Sequence, residues 1–301
     1  MNKYDKLFLV NNYNNISDSV KNRLEASCFN APIVLKDKQY VYKKENRQGK
    51  SAKISMLSEE EFKVLETIYF GKCITIEQIM MYLELKGYTF SVSKTKSILD
   101  KLLYHQAIQR ITIFSNGYDG AEKRKCKYYM IGEYTPCKKL GIPNTTMKKL
   151  FVLRKECGSS WPLYCISMQI INQIALNQII YNENIDRIII GDVRMFPAYK
   201  LVIPLTLMSD EVMTVFIFAM YMNAENIHLV LDKWLRFINE YDKRVRLIII
   251  SRDDTQQFIV RKNVDKNDFS GLEIGFTNYA DWFTNDENRV YIKTSIKAIQ
   301  A

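Results

Sequence analysis

Two groups of cationic and small polar side chains carry the chemistry that this sequence offers. Lys123, Arg124, Lys125 and Lys127 fall in one short segment, and Ser93, Lys94, Ser97, Lys101 and Tyr104 recur along one helix face. None of them forms an acid and base pair. Their chemistry is ionic, because cations on a protein surface neutralise phosphates and release the counterions condensed around a polyanion. Lysines mainly position a protein on phosphates. Base readout relies more on Arg, Asn or Gln, which this helix scarcely offers before Gln106.

Catalytic chemistry is poorly provided for. The six cysteines, at 28, 73, 126, 137, 157 and 165, include no CxxC pair, and the two histidines, His105 and His228, lie far apart. Structural zinc needs four soft ligands at close paired spacing, so no metal site is expected, and the cysteines read as reduced packing residues. The sequence contains no GxxxxGK, GxGxxG, GxSxG or HExxH motif, which removes the commonest nucleotide-dependent, esterase and zinc-protease readings. The expectation is a protein with no catalytic residues and no cofactor.

The elements that must position the cationic groups lie between Met56 and Ile131. Ser58-Glu59-Glu60-Glu61 is a capping box, followed by Phe62, Leu65, Ile68 and Tyr69 at helical spacing. Thr75 with Gln78 repeats the cap, and Ile79, Met80 and Leu83 run on to Gly87, a residue suited to a left-handed helix end. After the turn Gly87-Tyr88-Thr89-Phe90, either Ser91 or Ser93 caps a third helix with Thr95, Ile98, Leu99, Leu102 and Leu103 turned inward. Ile108 to Phe114 and Lys125 to Ile131 then read as strands flanking Ser115-Asn116-Gly117-Tyr118-Asp119-Gly120. Three helices and a hairpin make the winged helix-turn-helix order, in which the third helix enters the major groove and the hairpin touches adjacent backbone. A winged helix that joins proteins, with its lysines as a solvated face, is the alternative.

Charge agrees with that division of labour. Residues 1 to 150 hold 26 Lys and Arg against 15 Asp and Glu, whereas residues 151 to 301 hold 17 against 18, so the net +10 resides in the first half. A basic domain followed by a neutral one suggests a polyanion-binding module joined to something that leaves the polyanion alone. A hydrophobic content of 47% over 301 residues suits two globular domains. Leu7 to Val10 is too short for a signal-peptide core, and Val215 to Met222 falls short of a membrane span. The expected setting is the cytoplasm, with no membrane partner.

The expected organisation is α+β. An N-terminal extension or arm at 1–55 contains a short helix at Ser17 to Ala26, a hairpin from Ile33 to Lys36 with Gln39 to Lys43, and a basic stretch at Lys43 to Lys50 that reads as a linker, with a DNA-contacting arm as the alternative. A winged helix-turn-helix domain follows at 56–135. A linker occupies 136–160, broken by Pro136, Gly141-Ile142-Pro143 and Gly158-Ser159-Ser160, and a mixed α/β domain fills 161–301. In that last domain Ile166 to Tyr181 reads as a helix with an apolar face. Arg187 to Ile190, Leu201 to Leu207 and Val212 to Met222 read as strands, and Asn226 to Tyr241 reads as an amphipathic helix. A strand at Arg246 to Ser251, a short helix and a strand at Leu272 to Thr277 complete it. The runs Ile188-Ile189-Ile190 and Leu247 to Ile250 imply strands covered on both faces.

This order resembles a restriction-endonuclease-like core. Such a core needs an Asp on one strand and an acidic-x-Lys triplet on a neighbouring one to hold a divalent metal and activate water. Asp192 is the candidate first acid, but Met213 to Met220 and Leu201 to Leu207 contain neither carboxylate nor lysine. The core is expected to be degenerate and inactive. The element order, Phe196-Pro197-Ala198-Tyr199-Lys200-Leu201, the Ile-rich strand Leu247 to Arg252 and Phe276-Thr277 together resemble the replication-relaxation (MobC-like) family of plasmids and integrative elements of Gram-positive bacteria. That resemblance covers residues 56 to 283. It departs from the family pattern at Ala198, where an acidic residue often follows the proline, and at Ala219-Met220-Tyr221, where Glu-x-Asp ends the strand. The resemblance implies a double-stranded DNA-binding protein of a mobile genetic element, acting in replication or transfer or as a transcriptional regulator. Its second domain would then serve a homodimer or another DNA-processing protein. A protein-docking scaffold and a divergent metal-dependent nuclease are the alternatives.

Overall fold

The computed structural model describes residues 8–9, 40–45, 57–115, 125–132, 140, 161–181, 185, 187–190, 205–209, 212–219, 227–238, 244–267, 269 and 272–278. In chain order these form β1 (Phe8–Leu9), β2 (Tyr40–Glu45), α1 (Glu59–Gly71), β3 (Cys73–Ile74), α2 (Ile76–Leu85), α3 (Val92–Tyr104), β4 (Ile108–Ser115) and β5 (Lys125–Ile131). After them come α4 (Trp161–Tyr181), β6 (Arg187–Ile190), β7 (Leu205–Met208), β8 (Val212–Phe218), α5 (Ile227–Ile238), β9 (Arg244–Ser251), α6 (Asp254–Asp265) and β10 (Glu273–Asn278). The architecture is mixed α and β with two sheets, one of six strands and one of four. Among the described residues, 40–172 make one compact unit, and Phe8 and Leu9 join 173–278 in the other.

In the first unit both anticipated capping boxes form. Ser58 Oγ accepts from Glu61 N while Ser58 N donates to the Glu61 carboxylate at 2.9 Å, and Thr75 and Gln78 make the same reciprocal pair. These bonds satisfy amides that a helix start would otherwise leave bare. Gly87 follows α2 with φ 83, the left-handed conformation expected there. Ser91, rather than Ser93, caps α3 through Lys94 N at 3.1 Å. Thr95, Ile98, Leu99, Leu102 and Leu103 are all buried, so the inner face is the one the spacing predicts. The chain leaves α3 through Gln106, at φ 55, and enters β4. A Cβ on Gly132 would lie 2.2 Å from the Gln106 carbonyl oxygen, so only glycine fits where the end of β5 passes this turn.

The four-stranded sheet runs β2-β4-β5-β3, with every pairing antiparallel. One expectation changes here and one is not reached. Tyr40 to Glu45 pairs with β4, its partners running from Ser115 back to Arg110, while Ile33 to Lys36, the other half of the expected hairpin, lie outside the described residues. Lys43, Lys44 and Glu45, read as the start of a basic linker, belong to that strand. The possible helix at Ser17 to Ala26 also lies outside the described residues.

The first half of α4 packs into this unit through amides. Asn172 Nδ2 donates to the carbonyls of Gly71 at 3.0 Å and Cys73 at 3.4 Å, as well as to Met168 one turn back. Gln169 accepts from Tyr128 Oη at 2.7 Å, and its backbone carbonyl accepts from Gln78 Nε2 at 2.8 Å. Gly71 makes the approach possible, since a Cβ there would lie 2.9 Å from Asn172 Oδ1 and 2.7 Å from Ile74 Cδ1. The expected amphipathic helix from Ile166 is therefore longer and differently buried. It starts at Trp161, and every residue from Cys165 to Ile180 is buried, Ser167, Gln169, Asn172, Gln173, Asn177 and Gln178 included.

The second unit is a sheet in the order β1-β6-β7-β8-β9-β10, antiparallel from β1 to β8 and parallel from β8 to β10. Parallel neighbours need a crossover, and α5 and α6 supply the two. Met213, Val215 and Ile217 of β8 and Val245, Leu247 and Ile249 of β9 pack with Ile227, Leu231 and Trp234 of α5 and Val260 and Val264 of α6. The alternate residues Phe216, Ile248 and Ile250 are buried as well, which explains the uninterrupted apolar runs. The described strand in the 201–207 region is Leu205–Met208, and β8 ends at Phe218.

Candidate nucleic-acid interface

The outer face of α3 is built by the same periodicity that buries its inner face. Ser93, Lys94, Ser97, Lys101 and Tyr104 are all exposed, Tyr104 at 52%. Lys96 is exposed on the same helix and was missed by the sequence reading, although its position between Lys94 and Ser97 marks it as outward-facing. Val92, at 49%, adds an apolar contact at the first helical position. On the hairpin, Lys125 and Lys127 are exposed, two residues apart on one face of β5. Lys125 lies 5.4 Å from the centre of the Phe114 ring, its cross-strand partner. Lys123 and Arg124 lie outside the described residues.

The face is less cationic than its composition suggests. Lys94 pairs with Glu60 and also sits 4.9 Å from the Phe90 ring centre, while Lys101 pairs with Glu61 at 2.6 Å. Both carboxylates come from the first turn of α1, which the sequence had shown only as a capping box. Burial pushes the Glu61 carboxyl up, but hydrogen bonds from Lys101 Nζ and Ser58 N, with the Lys101 charge, hold it below its ordinary value. Asp100 faces Arg110 of β4 at 3.7 Å. Gln106, the nearest residue of base-reading type, belongs to the turn after the helix rather than to its exposed face.

Cys73, Cys126 and Cys165 form no disulfide, and burial pushes the Cys126 thiol up to about 12, so it stays protonated at neutral pH. In the second unit, Glu273 is clasped by Arg244 at 2.8 Å and Arg246 at 2.7 Å, and Asp253 caps α6 while pairing with Arg252. Among the described residues no three His, Cys, Asp or Glu side chains gather as metal ligands. Asp192 and the Phe196 to Lys200 segment lie outside the described residues. Among the described residues no helix is long and apolar enough to cross a membrane. Compared with family models and with curated proteins, the chain matches none of either.

Proposed function

We propose that this chain is a non-enzymatic double-stranded DNA-binding protein of a mobile genetic element. It would act in the cytoplasm as a replication or transfer accessory factor or as a transcriptional regulator. In this reading residues 56–135 form a winged helix-turn-helix, with α3 as the groove helix and the β4–β5 hairpin as the wing. The observation that carries it is the two-sided character of α3, whose fully packed inner face holds out Ser93, Lys94, Lys96, Ser97 and Lys101. Lys125 and Lys127 on β5 supply a second set of phosphate contacts. The element order is also what the resemblance to the replication-relaxation (MobC-like) family implies, and the second unit would be its degenerate nuclease-like domain, serving assembly. The test is titration of the full chain with duplex DNA over a salt series. A slope of several units in log K against log salt supports the reading, and salt-insensitive or absent binding removes it.

A second reading has its own observation. The pairing of Lys94 and Lys101 with Glu60 and Glu61 leaves α3 less cationic, and exposed Val92 and Tyr104 add apolar and aromatic contact area of the kind enriched at protein-docking surfaces. Retention of a partner protein that survives loss of all DNA binding favours that scaffold role.

A further inference from the structure

Lys94 and Lys101 face outward, yet each already holds an anion. We infer that Glu60 and Glu61 act as built-in competitors of the polyanion, so that a phosphate must displace a carboxylate before it engages either lysine. The inference rests on the DNA-binding reading and adds the regulation of that face.

The two pairs differ in how readily they exchange. Lys94 and Glu60 are about equally exposed, at 45% and 48% of their side chains, and pairs so open to water contribute little and re-form easily. Glu61 is only 8% exposed and also accepts from Ser58 N, so its position is fixed by the capping box. Lys94 is therefore the exchangeable cation and Lys101 the retained one. When a phosphate takes Lys94, the DNA sheds roughly 0.9 of a counterion. Glu60, left beside Glu59 and Glu61, then recruits a cation from solution. The two effects oppose each other, so Lys94 adds little to the salt dependence of binding. Lys96, exposed on the same helix and without a carboxylate partner among the described residues, adds its full share.

Binding of the full chain to a fluorescent duplex of arbitrary sequence, followed over a salt series, tests this with Glu60→Gln, Lys94→Ala and their combination. Glu60→Gln should tighten binding by up to about fivefold and steepen the salt slope by up to about 0.9. Lys94→Ala should weaken binding modestly on its own and should abolish the gain made by Glu60→Gln. Glu60→Ala serves as a second variant, and thermal melts establish that each protein is folded. If the wild-type chain binds duplex in a salt-dependent way and Glu60→Gln leaves affinity and slope unchanged, the competitor idea fails while the DNA-binding reading stands. If none of the proteins binds duplex, the reading fails and the inference falls with it.

Discussion

Helices α3 and α4 both mix polar and apolar residues, and they resolve the mixture in opposite ways. On α3 the polar residues other than Thr95 point to water, and Thr95 with the apolar ones recurs at intervals of three and four to form the packed face. On α4 the amides of Gln169 and Asn172 point into protein: Asn172 donates to carbonyls at the end of α1 and at β3, and Gln169 accepts from the Tyr128 hydroxyl. Polar composition alone thus has two meanings. A buried amide is stabilising to the extent that its groups are matched: Asn172 Nδ2 is matched to three carbonyls, whereas Asn172 Oδ1 finds no partner among the described residues, and removing the side chain leaves those carbonyls unpaired away from water.

The contrast predicts unequal responses to similar truncations. Asn172→Ala should lose about 2–4 kcal/mol, because the Gly71 carbonyl of α1 and the Cys73 carbonyl of β3 lose their donor and a small cavity opens. Ser97→Ala, on the exposed face of α3, should stay within about 0.5 kcal/mol. Chemical denaturation of the full chain measures both, and equal losses would erase the distinction. Gly71→Ala sharpens it further. The new methyl meets Asn172 Oδ1, so its loss of about 1–3 kcal/mol should shrink in the Asn172→Ala background, a coupling that a double-mutant cycle reads directly.

Within the proposed interface, the hairpin and the helix should also separate. Replacing Lys125 and Lys127 by Ala should flatten the salt slope by about 1.8 and weaken binding to all sequences alike, because phosphates carry no sequence information. Changing Ser93 and Ser97 should instead weaken a preferred site more than random DNA. Fluorescence anisotropy on both duplexes distinguishes the two, and parallel losses from both variants would mean that α3 does not read bases.

A small, pH-dependent effect is expected at Glu61. Its carboxyl is held below the ordinary value of 4.5, so its ion pair contributes stability that is fully present above that value and lost as pH falls through its lowered titration. Glu61→Gln keeps the capping-box acceptor but loses the charge. It should reduce stability by about 0.5–1 kcal/mol at neutral pH and by less in acid, as urea midpoints at pH 7 and pH 3 would reveal. An undiminished loss at pH 3 would assign the effect to packing rather than charge.

What the sequence made legible was local. Ser58 with Glu61 and Thr75 with Gln78 announce helix starts within four residues, and the α3 period alone names all five inward side chains. Contacts between elements left no such trace. The pairing of Glu60 with Lys94 spans 34 residues, and that of Asn172 with Gly71 spans 101, so no window of sequence contains both partners. The all-round burial of α4 was misread for the same reason, since its amides look like a solvent face until their acceptors are known. The pairing of β2 with β4, about 70 residues on, left no local trace either.

The pairing of Phe8 with Ile188 sets a timetable for synthesis. At roughly 5–20 residues per second, about 10–40 s pass between the ribosome's making β1 and its making β6. β2 waits a shorter interval for β4. Until then both N-terminal strands are unpaired backbone, with free amides and carbonyls that can template association with another chain. Of the described strands, β1, the first made, waits longest for its partner. The helices α1 to α3, whose contacts are local, are free to assemble in the meantime.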